Sequence, residues 1–260
     1  LDFINKYDTF IFDLDGTVYV ENKLIPKADT TINELQDLGK NVCFVSNKTT
    51  GTPDEYYSFL TGKGVRIKKE RIITAAMVVK EFLNKSGFSG KFFAIGEKSF
   101  VEYLQSAGFD YSEKPDEIDL VLVTLDRTLN YEKLETAKNA INKGAEYYAV
   151  NIDATCPVEE GEILDAGAII SALEKATHKL PSENFGKPSH HMFEFINEKM
   201  KIKKGSTIII GDRLETDIKM GNDFGVDTAL VQTGVPKIVN GNYLIKPTFT
   251  INSINDLLTN

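Results

Sequence analysis

The chain has 260 residues, 42% hydrophobic and 26% charged, a balance that supports a folded core and excludes disorder as the main state. Lys and Arg total 30 against 38 Asp and Glu, and the net charge of −8 argues against nucleic acid or an anionic membrane surface as partner. No apolar run reaches the roughly 18 residues of a spanning helix, and Leu1 to Asp8 show no basic-then-apolar leader pattern. Two cysteines, Cys43 and Cys156, cannot form a disulfide framework, so a reducing cytoplasm is the expected compartment.

Short apolar runs alternate with helical patterns. Residues 10–12 read as a strand. Residues 26–38 read as a helix, with Ala28, Ile32, Leu35 and Leu38 at helical spacing and Gly39 as the stop. A strand at 42–45 follows, in which Cys43 reads as a small buried apolar residue. Next come a helix at 53–60, with Pro53 suited to its first turn, a strand at 72–73 and a helix at 75–83. Strands at 92–95, 120–123 and 147–150 are separated by helices at 99–106 and 131–141, and a long helix covers 166–176. The remainder reads as a helix at 190–200, a strand at 207–210, a helix at 215–224, a strand at 228–231 and a last helix at 254–258. This alternation predicts an α/β fold, a doubly wound, Rossmann-like parallel sheet with both faces covered.

In such sheets ligands bind beyond the carboxyl ends of the strands. The first strand is followed by Asp13-Leu14-Asp15-Gly16-Thr17, the second by Ser46-Asn47-Lys48-Thr49, and the 207–210 strand by Gly211-Asp212-Arg213-Leu214-Glu215-Thr216-Asp217. Gly186-Lys187-Pro188 precedes the 190–200 helix. Asp13 and Asp15, two apart, repel unless a cation or proton sits between them. With Asp212 they offer three acidic oxygens, a set that suits Mg²⁺ rather than zinc. Taken singly, each piece has an ordinary reading. Asp-Gly is a common turn pair, Ser46 and Asn47 suit a turn cap, Lys187 suits solvent, and an acid at 217 suits a helix start. A calcium loop fails, because Val18 and Leu24 occupy its sixth and twelfth positions, and neither dinucleotide nor P-loop glycine motifs occur. His178, His190 and His191 have no paired metal spacing and read as ordinary polar residues.

The four segments together, in this order, resemble the haloacid dehalogenase superfamily of phosphohydrolases, and more narrowly its NagD-type sugar phosphatase and 4-nitrophenylphosphatase branch. Residues 125–131, 151–168 and 211–218 extend the match, so the resemblance covers nearly the whole chain. It implies a core of residues 1–76 and 181–260 with an α/β cap, 77–180, inserted between Asn47 and Lys187, which are 187 − 47 = 140 residues apart. It implies Asp13 as nucleophile and Asp15 as general acid and base. Asp13, Asp212 and the Asp15 carbonyl would bind Mg²⁺. Ser46, Asn47, Thr17 and Lys187 would hold the phosphate or its turn, with Lys187 also neutralising developing charge. Asp217 would orient Lys187 or water. Asn151, Asp153 and Asp165 are candidates for substrate choice in the cap. Lys48 stands where the branch often has Asn, and it is expected to point to solvent. The implied activity is hydrolysis of a small phosphomonoester, of the sugar phosphate or nucleotide monophosphate class, with homo-oligomers through the cap as a further possibility. A phosphotransferase or mutase, or a non-catalytic phosphate-binding protein, are the competing readings.

Overall fold

The computed structural model describes residues 2–158, 160–234 and 244–258; residues 235–243, part of the expected core, lie outside them. Two parallel sheets carry the chain. The larger has six strands in the order Phe249–Ile251, Asp227–Val231, Thr207–Gly211, Thr9–Asp13, Asn41–Ser46 and Ile72–Thr74. The smaller has five, Glu183–Asn184, Glu146–Ala149, Leu120–Val123, Lys91–Ile95 and Asp110–Tyr111. Every neighbour in both sheets pairs in parallel. The α/β expectation holds. Its strand at 72–73 extends to Thr74, and the edge strands at 110–111, 183–184 and 249–251 are additions too short to show a periodicity. The larger sheet takes strands from residues 9–74 and 207–251, the smaller from 91–184. The expected boundary at 76/77 falls inside the first turn of the Ala75–Ser86 helix.

Alternation within the first strand shows why both sheet faces are covered. Ile11 packs with Cys43, Val45 and Ile209 on one face, while Phe10 and Phe12 pack with Phe44, Ile208 and Ile210 on the other. The Ile11 side is continuous with Phe92, Ala94, Leu120 and Leu122 of the smaller sheet, through apolar residues of helices Ala75–Ser86 and His190–Met200. The outer face of the smaller sheet, with Phe93, Ile95, Val121 and Val123, is covered by helices Tyr131–Lys143 and Ala166–Thr177. Apolar area buried on both faces is the main force holding these layers together.

Helix starts follow local chemistry. Thr52 and Glu55 form a reciprocal capping box ahead of Pro53, and Ser189 caps His190–Met200 by accepting from the Met192 amide. The expected helix at 215–224 divides into a π-helical turn, Leu214–Ile218, and an α-helix, Lys219–Phe224. The widened turn brings Asp217 back toward Gly211, where a Cβ would overlap the Asp217 side chain. Residues 254–258 form a 3₁₀ rather than an α-helix. An antiparallel hairpin, Thr155–Val158 with Gly161–Leu164, has no counterpart in the sequence reading. Among the described residues no helix is long and apolar enough to cross a membrane.

Candidate active site

The strands Thr207–Gly211, Thr9–Asp13 and Asn41–Ser46 are adjacent and parallel, so their carboxyl ends share one edge. Asp212, Asp13 and Ser46 therefore come together from three distant parts of the chain, and all three are buried. Gly16 adopts φ +85°, and a Cβ there would lie 2.5 Å from Asp212 Oδ2. Only glycine supplies both that backbone and that close approach. One carboxylate oxygen each from Asp13, Asp212 and Asp217 lies within 4.8 Å of the others. An all-oxygen set of this kind suits a hard divalent cation, and the concentrated negative charge would be relieved by one.

Lys187 approaches this cluster from the segment that follows the smaller sheet. Its side chain is 3% exposed, and its ammonium contacts the Asp13 carboxylate and donates to Asp217 Oδ1 at 2.7 Å. Burial pulls the Lys187 pKa down, but the charges of Asp13 and Asp217 outweigh it, so the lysine stays protonated. Burial pushes Asp13 well above the usual carboxylate range; Lys187 opposes this, while Asp217 and Asp212 add to it. Asp217 is held at its other oxygen by the Arg213 amide at 3.2 Å.

Asn47 clasps the lysine segment. Its Oδ1 accepts from the Lys187 amide at 2.6 Å, and its Nδ2 donates to the Lys187 carbonyl at 3.2 Å and to Asp153 Oδ2 at 2.9 Å. Asn47, expected to hold substrate, lines the cavity, and both ends of its side chain are engaged by protein groups. Thr17 sits in the turn it was expected to fix. It does not line the cavity, and its hydroxyl is buried without a hydrogen-bond partner among the described residues. Its backbone amide closes the turn onto the Leu14 carbonyl at 3.3 Å.

The Asp15 side chain lines the same cavity. It accepts from Lys48 Nζ at 2.7 Å and from the Tyr19 hydroxyl at 3.1 Å. The expectation that Lys48 points to solvent is thus wrong: its side chain is only 21% exposed. A carboxylate sheltered from water needs a counter-charge, and Lys48 supplies one. Burial lowers the Lys48 pKa and the Asp15 charge raises it, with a net rise.

The cavity is also lined by the segment between strands Glu146–Ala149 and Glu183–Asn184 of the smaller sheet. Asp153, Thr155, Cys156, Pro157 and Asp165 line it, facing Asp13, Asp15, Ser46, Lys48 and Arg213. Asn151 sits beneath them, fully buried, donating to the Asn47 carbonyl at 3.1 Å and to Asp165 Oδ1 at 3.3 Å. Burial raises the Asp153 pKa, against the pull of Arg213. Burial and the Asp153 charge push Asp165 up to about 7. Arg213, Thr155 and Cys156 were not singled out from sequence. Arg213 Nη2 donates to the Thr155 carbonyl at 2.7 Å, tying the motif after the 207–211 strand to the hairpin. The signal for that hairpin was present in the β-prone Thr155-Cys156-Pro157-Val158 and in Gly161 at the turn.

Comparisons with known proteins agree with this geometry. Residues 10–110 match the family described as haloacid dehalogenase-like hydrolase, and residues 184–257 a second family of the same kind. The sugar-phosphatase AraL of Bacillus subtilis is 33% identical over 95% of this chain and 90% of its own length. The solved structure of a 4-nitrophenylphosphatase from Thermotoga maritima superposes with a TM-score of 0.89 at 29% identity, covering 98% of this chain and 97% of that one. A glycerol phosphate phosphatase from Mycobacterium tuberculosis, solved in complex with calcium, superposes at 0.84 with 25% identity, covering 99% of this chain and 76% of that one. The chain belongs to the haloacid dehalogenase-like hydrolases and is a phosphatase of their NagD-like branch.

Proposed function

We propose that this phosphatase is a Mg²⁺-dependent phosphomonoesterase, acting on small phosphorylated metabolites of the sugar phosphate or nucleotide monophosphate class through a phosphoryl group carried on Asp13. The observation that carries the reading is the buried meeting of Asp13 with Lys187, Asp212 and Asp217 at one sheet edge. In the first step an Asp13 oxygen attacks phosphorus, the bond from phosphorus to the ester oxygen breaks, and Asp15 gives its proton to the leaving alkoxide. In the second, water attacks the same phosphorus, Asp15 takes the water's proton, and the Asp13 oxygen is released with inorganic phosphate. Ser46 and the amides after Asp13 bind the phosphoryl oxygens. Lys187 balances the charge that builds on them. The phosphate dianion offers Lys48 a second partner, which releases Asp15 to carry a proton. Asp13, Asp212 and the Asp15 carbonyl would hold Mg²⁺, with Asp217 beside them. The bound cation would screen the anionic nucleophile from the anionic substrate.

We assign residues 1–76 and 181–260 to the catalytic core and 77–180 to a cap. The cap places Asp153, Thr155, Cys156 and Asp165 over the site, and this roof favours small esters over polymers. The test is phosphate release, with Mg²⁺, across a panel of phosphorylated metabolites and 4-nitrophenyl phosphate. Asp13→Asn should lower turnover on the order of 10⁴-fold or more while the protein stays folded. Near-normal turnover in that variant would refute the nucleophile assignment. Transfer of the phosphoryl group to a sugar hydroxyl without free phosphate would make the chain a transferase instead.

A further inference from the structure

We propose that Glu183, His190 and His191 form a second metal site, one that takes a transition-metal dication such as Ni²⁺ or Zn²⁺, where the chain passes from the smaller sheet to the larger. Glu183 belongs to the edge strand Glu183–Asn184, and the two histidines open the His190–Met200 helix. One ligand atom from each of the three lies within 4.8 Å of the others. His191 Nε2 is already 2.8 Å from Glu183 Oε2. Adjacent residues on a helix diverge by about 100°, yet the two imidazole rings converge here to 3.8 Å between centroids. The His191 ring is stacked on Phe185 at 4.8 Å and edged by Phe82 at 5.0 Å, so its plane is set by packing. His190 is exposed and the other two are half-buried, which leaves the site open to an entering ion.

The donor chemistry separates this cluster from the catalytic one. Two imidazoles and one carboxylate suit nickel or zinc, whereas the Asp13, Asp212 and Asp217 set, all oxygen, suits magnesium or calcium. Sequence spacing concealed the site, because the third ligand stands seven residues before His190, on a strand. An ion joining Glu183 to the helix would bracket the segment between them, which includes Lys187. Bound metal would then tie the lysine segment to both layers. This inference does not depend on the proposed substrate or mechanism.

The test is calorimetric titration of Ni²⁺ into the untagged chain saturated with Mg²⁺, compared with the double variant Glu183→Gln/His190→Gln. Neither side chain belongs to the catalytic set, and the variant is expected to keep wild-type Mg²⁺-dependent activity and thermal unfolding. Wild type should bind one equivalent of nickel, with the variant weaker by roughly 100-fold or more. Nickel should also broaden the ring-proton NMR signals of His190 and His191 in wild type. Equal nickel affinity in the two proteins would overturn the proposal. So would nickel binding that Mg²⁺ abolishes, since that places the ion among the catalytic carboxylates.

Discussion

Replacing Asp165 by asparagine isolates the energetic cost of a carboxylate buried at the roof of the cavity. Asp165 is 4% exposed, caps the Ala166–Thr177 helix through the Ala166 amide at 2.5 Å, and accepts from Asn151 at 3.3 Å. Its pKa is pushed from the ordinary 3.8 up to about 7, first by burial and then by Asp153. The folded protein thus holds this proton more tightly than the unfolded chain does. Stability from this group is present below the unfolded value and is lost as pH rises toward the folded one. Each pH unit in that window is worth about 1.4 kcal/mol, so the span from 3.8 to about 7 amounts to roughly 4 kcal/mol. Asparagine keeps the side-chain carbonyl for the cap and never ionises. The Asp165→Asn variant should therefore match wild type near about pH 4 and exceed it by a few kcal/mol near about pH 8. Urea unfolding of both proteins across that range measures the difference directly. A stability difference that stays constant with pH would refute both the burial argument and the raised pKa.

Three other outcomes follow from the same geometry. Lys48→Met removes the cation 2.7 Å from Asp15 and should raise KM for phosphate esters by about tenfold or more, as expected for losing a hydrogen bond to a charged group; steady-state kinetics would show an unchanged KM if Lys48 never meets substrate. Asn47→Ala cuts the clasp on Lys187 and should cost about 1–3 kcal/mol in denaturant unfolding and lower kcat, whereas a residue that only bound substrate would leave stability intact. EDTA should abolish turnover and Mg²⁺ restore it. Because burial raises the Asp13 pKa, protons compete with the ion, and more Mg²⁺ should be needed for half-maximal activity at acid pH than at neutral pH. A Mg²⁺ requirement independent of pH would count against Asp13 as a ligand.

Much of the fold was legible because its signals are local. The continuous apolar run Thr207 to Ile210 reads as a strand buried on both faces, and it is one. The acids after residues 12 and 210 fall at carboxyl ends because a strand ends where its apolar run does. The 215–224 helix is present, with a π-helical first turn that period alone does not separate from an α-turn. The 155–164 hairpin was missed because Pro157 interrupts its first strand and the second, Gly-Glu-Ile-Leu, holds little apolar pattern. Asp153 and Asp165 line the cavity, while Asn151 donates to Asp165.

By itself, the sequence determined which residue types stand at the strand ends, and so the chemical class of the site. Only the tertiary structure decided who pairs with whom. Lys187 meets Asp13 across 174 residues, and Asn47 clasps Lys187 across 140. Lys48 turns to Asp15 rather than to water, and Glu183 faces two histidines on a neighbouring helix. The physical reason is that strand and helix patterns come from contacts a few residues apart. A buried charge instead takes its partner from whatever the packed layers bring within about 3 Å of it.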